Sequence, residues 1–340
     1  MKRRIHVPEL GRHIVIGGCR LPVHPPHGFK LKDFLTAPPP APTTCDYSAA
    51  AMAVIKQIEG NDVLGDCVIA ENAHYIAVVT GNSGNGLYSY TTAQTEADYS
   101  AITGYNPADP STDQGTDPIV DLNYRVANGY ADGSKDAGWA LVDATNKNEV
   151  AYAIATFGNL LMWFGIPDSI VNSMPSASGF VWDVNAGAPD GNNGHAIGAA
   201  GFNVTKIQTV GVTARGVLVM TWGMLGIITW AAVAAWFSSV NGGGMAVRVT
   251  TDWINKQSGK SPSGLNLAAL LTAFDTYFGG NLPIPAPTPG PAPTPTTGVT
   301  LAQAQAWQAA GINAGHVIMT KAQAAAAGAA GLAARWPKTP

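Results

Sequence analysis

Charge is scarce in this 340-residue chain: Asp, Glu, Lys and Arg together make up 12 % of it, against the roughly 25 % usual in soluble proteins. The net charge is only −3, with no basic stripe interleaved with aromatics, which argues against a nucleic-acid partner. Cysteine is scarce too. Three residues, Cys19, Cys45 and Cys67, are too few for a disulfide framework and lack the paired spacing of a zinc site. An odd count leaves at least one thiol unpaired; Cys19 and Cys45 either bridge within the N-terminal arm or stay reduced. A cleavable leader is not evident, because Pro8, Glu9 and Gly11 interrupt the apolar run that one requires. A cytoplasmic or virion-associated protein is therefore expected rather than a membrane-bound one.

The longest uncharged run, residues 217–237, has the length of a membrane span. Gly223 and Gly226 punctuate it, β-branched residues crowd its first half and alanines its second. It reads as strand, turn, short strand and helix, all buried.

Proline and small residues are abundant where charge is not. Residues 1–45, with "APPPAPTT" at 37–44, read as an extended arm. Residues 46–280 have the composition of a mixed α+β domain. "SAAAMAVIKQI" and "CVIAENAHYIAVV" carry helical spacing, "NPADPSTDQGTDP" is a polar loop, and "NEVAYAIATFG" is a helix closed by Gly158 before the strand "NLLMWFGI". A proline-rich linker spans 281–297. An alanine-rich tail, 298–340, contains a 20-residue repeat starting at Thr300 and Thr320, each copy a short helix with little apolar area. Such faces suit a helical hairpin docked on the main domain or on an assembly partner.

The chemistry-bearing stretch is "GNDVLGDCVIAENAHYIAVV", residues 60–79. A thiol at a helix N-terminus is favoured as thiolate by the helix dipole, and it needs a base, a histidine brought from elsewhere in the chain. His195, in "NNGHAIGAAGF", follows a glycine-rich loop and opens an alternating strand. His74 lies two helical turns from Cys67 and reads as a packed core histidine.

The blocks "GNDVLGDC" (60–67), "TGYNPADPSTDQG" (103–115), "GHAI" (194–197), "TWG" (221–223) and "DWI" (252–254) resemble the papain-like cysteine peptidases, and most closely a bacterial and phage branch of them. The resemblance covers residues 46–280. It implies a two-lobe α+β fold, with a helical left lobe carrying Cys67 and a strand-rich right lobe carrying His195. It implies no cofactor and no metal, and a peptide or amide as substrate. By position it makes Cys67 the nucleophile, His195 the base and Asn61 the oxyanion donor, in place of the family's glutamine six residues before the nucleophile. Trp222 matches the tryptophan beside the histidine. Met220 stands where the family has the asparagine that orients the histidine, and a thioether makes no strong hydrogen bond. Asp190, Asn203 or a backbone carbonyl is left to take over. Asp66, next to the thiol, raises its pKa unless the carboxylate turns away to cap the helix.

Two functions follow: a thiol hydrolase built on Cys67, His195 and Asn61, or a papain-like scaffold that no longer catalyses and serves as a structural or binding component, for example of a virion. Weaker patterns are read as structural. Asp109, Asp113, Asp117 and Asp121 recur every four residues, but a calcium loop of the EF-hand type would need glycine where Gln114 stands. Trp163, Trp182, Trp230 and Trp236 have core spacing. His24 and His27 are loop residues.

Overall fold

The computed structural model describes residues 2–22, 28–34, 42–82, 86–173, 179–204 and 215–250. The histidines at 24 and 27, the "DWI" block, the proline-rich linker and the alanine-rich tail lie outside the described residues. The first unit by internal contacts ends at Ala286, and all described residues belong to it.

The fold is α+β. Its strands are β1 (Arg3–Val7), β2 (Arg12–Ile16), β3 (Phe29–Lys30), β4 (Cys45–Asp46), β5 (Asp136–Leu141), β6 (Leu160–Gly165), β7 (Phe180–Trp182), β8 (Gly194–Phe202), β9 (Gly216–Thr221), β10 (Met224–Thr229) and β11 (Gly244–Thr250). Its helices are α1 (Met52–Ile55), α2 (Cys67–Asn82), α3 (Thr92–Thr103), α4 (Pro118–Asn128), α5 (Lys147–Phe157), α6 (Asp168–Asn172) and α7 (Trp230–Trp236). β1 and β2 form an antiparallel hairpin. The remaining strands make one mixed sheet in the order β3-β5-β11-β6-β8-β9-β10-β7, with β4 pairing β8. Helices α2, α3 and α4 pack on one another, α2 along β8 and α4 against β5.

Local chemistry explains most boundaries. α3 begins with a capping box between Thr91 and Gln94 and ends at Gly104 in the left-handed conformation. α4 starts with Asp117 accepting from the Ile119 N–H and with Pro118 in the first turn. Asn146 caps α5, and Gly158 closes it at φ 79°, as its sequence pattern indicates. Residues 217–237 resolve into strand, turn, strand and helix as read from sequence. Among the described residues no helix is long and apolar enough to cross a membrane. "SAAAMAVIKQI" is a weaker helix than expected. It forms only a 3-10 turn (Ala49–Ala51) and the single turn α1, because no side chain caps it and its apolar residues are used to cover α2.

Helix α2 explains why one stretch of sequence is both apolar and polar. Every residue from Cys67 to Thr80 is buried, so its polar side chains must find partners inside. Asn72 Nδ2 donates to Asp121 (2.9 Å). Arg248, on β11, donates to both Asn72 and Glu71 and lies over the Tyr75 ring, 3.8 Å from its centroid. Asp121 in turn holds Arg125 (3.2 Å), which also reaches Asp98 (2.7 Å). This buried ionic chain ties the helix bearing Cys67 to the sheet.

Replacing one member of a buried pair leaves the other charge uncompensated, which costs about 3–5 kcal/mol. Arg248→Ala is therefore expected to lower unfolding free energy by that amount in urea titrations. A loss below 1 kcal/mol would show that the chain does not join the helix to the sheet energetically.

Candidate active site

Cys67 opens α2. The turn before it, residues 60–66, folds back so that the Asp66 carbonyl accepts from the Ile69 and Ala70 N–H groups. His195 is the second residue of β8, paired opposite Phe164 of β6. β9 and β10 are joined by the two-residue turn Trp222-Gly223, both at positive φ (50° and 76°), the geometry that matches hairpin twist. A tryptophan in this conformation is uncommon. It is held there from two sides: Arg12 donates to the Trp222 carbonyl (3.0 Å), and the indole stacks on the His195 imidazole, with centroids 4.1 Å apart and planes 17° off parallel.

The side chain that holds the His195 ring is Thr221. Its hydroxyl lies 2.7 Å from His195 Nε2, while Nδ1 has no hydrogen-bond partner among the described residues. Neither side chain put forward from sequence does this work. Asp190 turns to the Asn192 N–H (2.9 Å), and Asn203 donates to the Thr43 carbonyl and accepts from Trp230 Nε1. Met220, the residue before Thr221 on the strand, packs among Ala200, Leu218 and Leu225 and also reaches the wall of the small cavity at Cys67. The threonine could have been found from the sequence: it lies one residue past the expected position, and a hydroxyl can donate or accept.

Cys67, Asn61, Glu71, His74, Thr221 and Trp222 wall one small cavity of about 10 Å³, on the scale of a single water. The structure thus brings Cys67 and Asn61 together with the two residues that hold His195. His195 itself stands behind them at 0 % exposure, and Cys67 at 2 %. His74, as expected, is a core residue, bonded through Nε2 to the Gln57 carbonyl (3.1 Å).

Asn61 is differently employed from the sequence expectation. Its amide donates to the Leu64 carbonyl (3.0 Å) and to Asp66 Oδ1 (3.1 Å), so both hydrogens are spent inside its own turn. The Asp66 carboxylate accepts from Asn61 through Oδ1, and Oδ2 has no hydrogen-bond partner among the described residues; burial pushes the acid well above the usual carboxylate range, with the Asn61 bond opposing.

Desolvation dominates the electrostatics. Burial pushes the Cys67 thiol up to about 12, although the N–H groups of Ala196, Val68 and Cys67 favour the thiolate; Asp66 adds to the rise. Burial alone pulls His195 down to about 3. At neutral pH both groups are uncharged.

The cover is the N-terminal arm. Val15 N–H donates to the Asn61 carbonyl (2.9 Å), Cys19 N–H to the Gly194 carbonyl (3.1 Å) and Arg20 N–H to the Thr116 carbonyl (2.9 Å), while Thr116 N–H donates to the Gly18 carbonyl (2.9 Å). Arg3 bonds Asn193 and Lys2 bonds Asp113. The arm therefore touches the residues just before Cys67, just before His195, and at the Trp222 turn. It is not merely an extended leader: residues 3–16 fold as a hairpin. All three cysteines are free, Cys45 only partly buried, so the Cys19–Cys45 bridge is absent here. Cys45 pairs with Phe202 instead, whereas Cys19 sits in the cluster of Cys67, Val68 and Ala196.

The four aspartates serve four separate tasks, and Asp113 and Asp121, the latter within α4, are buried. Asp109 accepts from Ser111, Asp117 caps α4, Asp121 holds Asn72 and Arg125, and Asp113 accepts from the Tyr99 hydroxyl (2.6 Å) and from Lys2. Trp163, Trp182 and Trp236 are buried in the core; Trp230 is half-buried. A hollow of about 440 Å³ lies among Lys30, Lys32, Asp143, Glu149 and Gly244. It is far larger than the cavity at Cys67 but has neither thiol nor imidazole in its wall, so size does not identify the chemistry.

No family model matches this sequence, and no curated protein matches it. Among solved structures, the chain is similar to xylellain, a cysteine protease from Xylella fastidiosa, at 11 % identity and TM-score 0.45, covering 66 % of this chain and 94 % of that one. It is similar also to digestive procathepsin L2 from the larval midgut of Tenebrio molitor, at 15 % identity and TM-score 0.46, over 69 % and 78 % of the two chains. The cysteine protease and lectin-like domains of Cwp84, a surface layer associated protein of Clostridium difficile, give 10 % identity and TM-score 0.46 over 69 % and 56 %.

A folded-state pKa near 3 keeps His195 neutral while the unfolded chain, near 6.5, takes up a proton. Its contribution to stability is present above pH 6.5 and is lost as pH falls toward 3. The His195 ring resonances in NMR spectra are expected to show no titration between pH 8 and pH 5. A midpoint near 6.5 would mean that the imidazole is solvated.

Proposed function

We propose that the protein is a papain-like thiol hydrolase acting on a peptide or amide, held closed by its N-terminal arm. The observation that carries this reading is the His195 ring. It is gripped by Thr221 at Nε2 and by the Trp222 face, with Nδ1 unbonded among the described residues, on the strand whose next N–H, that of Ala196, faces the Cys67 sulfur. With Nε2–H donating to Thr221 Oγ1, the Nδ1 lone pair is the base.

Catalysis requires the arm to leave the cleft. Water and substrate then enter, the desolvation that keeps both groups neutral is relieved, and His195 Nδ1 removes the thiol proton. The Cys67 thiolate attacks the carbonyl carbon, and the negative oxygen is met by the Cys67 backbone N–H at the start of α2. Asn61 joins as a second donor by giving up its bond to Asp66, a weak bond when that acid is protonated. The imidazolium returns its proton to the leaving amine as the C–N bond breaks. Water, deprotonated by the same nitrogen, cleaves the thioester and restores the thiol. Thr221 keeps Nε2 engaged, so that Nδ1 stays available throughout.

The second reading, a scaffold without catalysis, is favoured by the depth of burial: a permanently seated arm would make the same residues a core. The two readings part in a labelling experiment. In a full chain carrying Arg3→Ala and Arg12→Ala, which cuts two anchors of the arm, an E-64-type epoxide is expected to label Cys67 and to be lost with Cys67→Ala. Equal labelling at Cys19 or Cys45, or none, favours the scaffold.

On the same background, Thr221→Val preserves shape and removes the hydroxyl. It is expected to lower kcat by about 100-fold, the scale of a general acid–base contribution, with KM nearly unchanged. An unaltered kcat would dismiss Thr221 as the orienting group.

A further inference from the structure

The arm does more than cover Cys67: beyond β2 it passes the site as a segment held from both sides by main-chain hydrogen bonds. On one side Cys19 N–H donates to the carbonyl of Gly194, the residue before His195. On the other, residues 18–20 exchange hydrogen bonds with Thr116 in a parallel bridge. Main-chain pairing of this kind accepts any sequence, so selectivity must come from the space left for side chains.

At Gly18 there is no such space. A Cβ built on it would lie 2.6 Å from the Gly65 carbonyl oxygen and 2.7 Å from the Gly65 Cα, both backbone atoms that cannot swing aside. The arm's backbone is held as tightly on the Thr116 side: a Cβ on Gly115 would run into the Gly18 carbonyl. Gly115 is at φ +77°, and the Gly65 N–H is pinned by Asp113 (3.2 Å), itself anchored by the Tyr99 hydroxyl (2.6 Å). Gly18 is not among the residues of positive φ. Its conformation does not demand glycine, so the demand is purely one of space. The next residue, Cys19, turns a small side chain into the buried cluster of Leu64, Cys67, Val68 and Ala196.

We propose that the Cys67 cleft selects peptides bearing glycine at the position that Gly18 fills, followed by a small residue, with Gly65 and Gly115 forming a glycine-only subsite. This rests on reading the cleft as a peptide-binding one. The arm then occupies it as a segment of the sequence class that the cleft prefers.

Two measurements on the full chain test this. First, Gly18→Ala is expected to unseat the arm and raise the iodoacetamide labelling rate of Cys67 at neutral pH at least tenfold, with the circular dichroism spectrum unchanged. An unchanged rate in a folded variant overturns the proposal. Second, and independently of how that variant folds, the chain with Arg3→Ala and Arg12→Ala is titrated calorimetrically with a peptide of residues 14–21, serine replacing Cys19. The same peptide with alanine in place of Gly18 is the comparison. Binding at least tenfold tighter for the glycine peptide is expected, and equal affinities, or binding of neither peptide, overturn the proposal. Because the readout is binding, an inert Cys67 beside a glycine-selective cleft would end the hydrolase reading and leave the subsite standing. Hydrolysis of alanine and glycine peptides alike would do the reverse.

Discussion

Removal of water from the Cys67 thiol and the His195 imidazole is the constraint on which the rest of the structure turns. In solution these two groups would sit within a few pKa units of each other and share a proton readily. Here burial drives the thiol up to about 12 and the imidazole down to about 3, so that a proton transfer between them would create two charges in a medium that solvates neither. The helix N-terminus and the Ala196 N–H oppose this, but they are weaker than the loss of solvent. Both groups are therefore neutral, buried side chains.

What excludes the water is a short stretch of backbone. The arm spans the cleft with main-chain hydrogen bonds to Asn61, Gly194 and Thr116, and its arginines close the two ends at Asn193 and Trp222. These contacts are made to the residues that precede or position the site, not to the site's own side chains. That arrangement covers the thiol while leaving Nδ1 of His195 without a competing partner. Close approach depends on glycine in both layers: Gly18 in the arm against Gly65 and Gly115 below it. A single methyl group in that stack would separate the arm from the floor.

The sequence made the framework legible where one residue type had one possible use. Gly158 after an apolar helix, Pro118 after Asp117, and the paired glycines and β-branched runs of 217–237 each announce a boundary, and each lies where the chain turns. Cys67 at a helix start and His195 opening a strand were legible for the same reason. The partners were not, because they depend on distances across the fold. Asn61 has the right amide, but its hydrogens are drawn to Asp66 and Leu64 in a turn that only folding creates. The arm reads as extended throughout because of its prolines, whereas the hairpin Arg3–Ile16 is stabilised by partners more than forty residues away. Arg248, which binds the Cys67 helix from β11, carried no signal in its neighbours at all.

Met220 and Thr221 show how a family pattern can be misread by one position. On a strand, successive side chains face opposite sides of the sheet, so Met220 and Thr221 cannot both address His195. Met220 faces the cluster of Ala200 and Leu218, where a long flexible apolar side chain fills space next to Gly198. Thr221 faces the imidazole, and its hydroxyl can accept the Nε2 proton at 2.7 Å. An amide presents its acceptor oxygen and its donor NH2 as separate atoms, so its orientation fixes which nitrogen of the ring keeps the proton. A hydroxyl can also donate, which allows the other tautomer and turns Nδ1 from base into donor. The Trp222 turn, at positive φ and clasped by Arg12 from the arm, sits beside that hydroxyl. Seating the arm therefore bears both on the water that reaches the thiol and on the position of the imidazole ring.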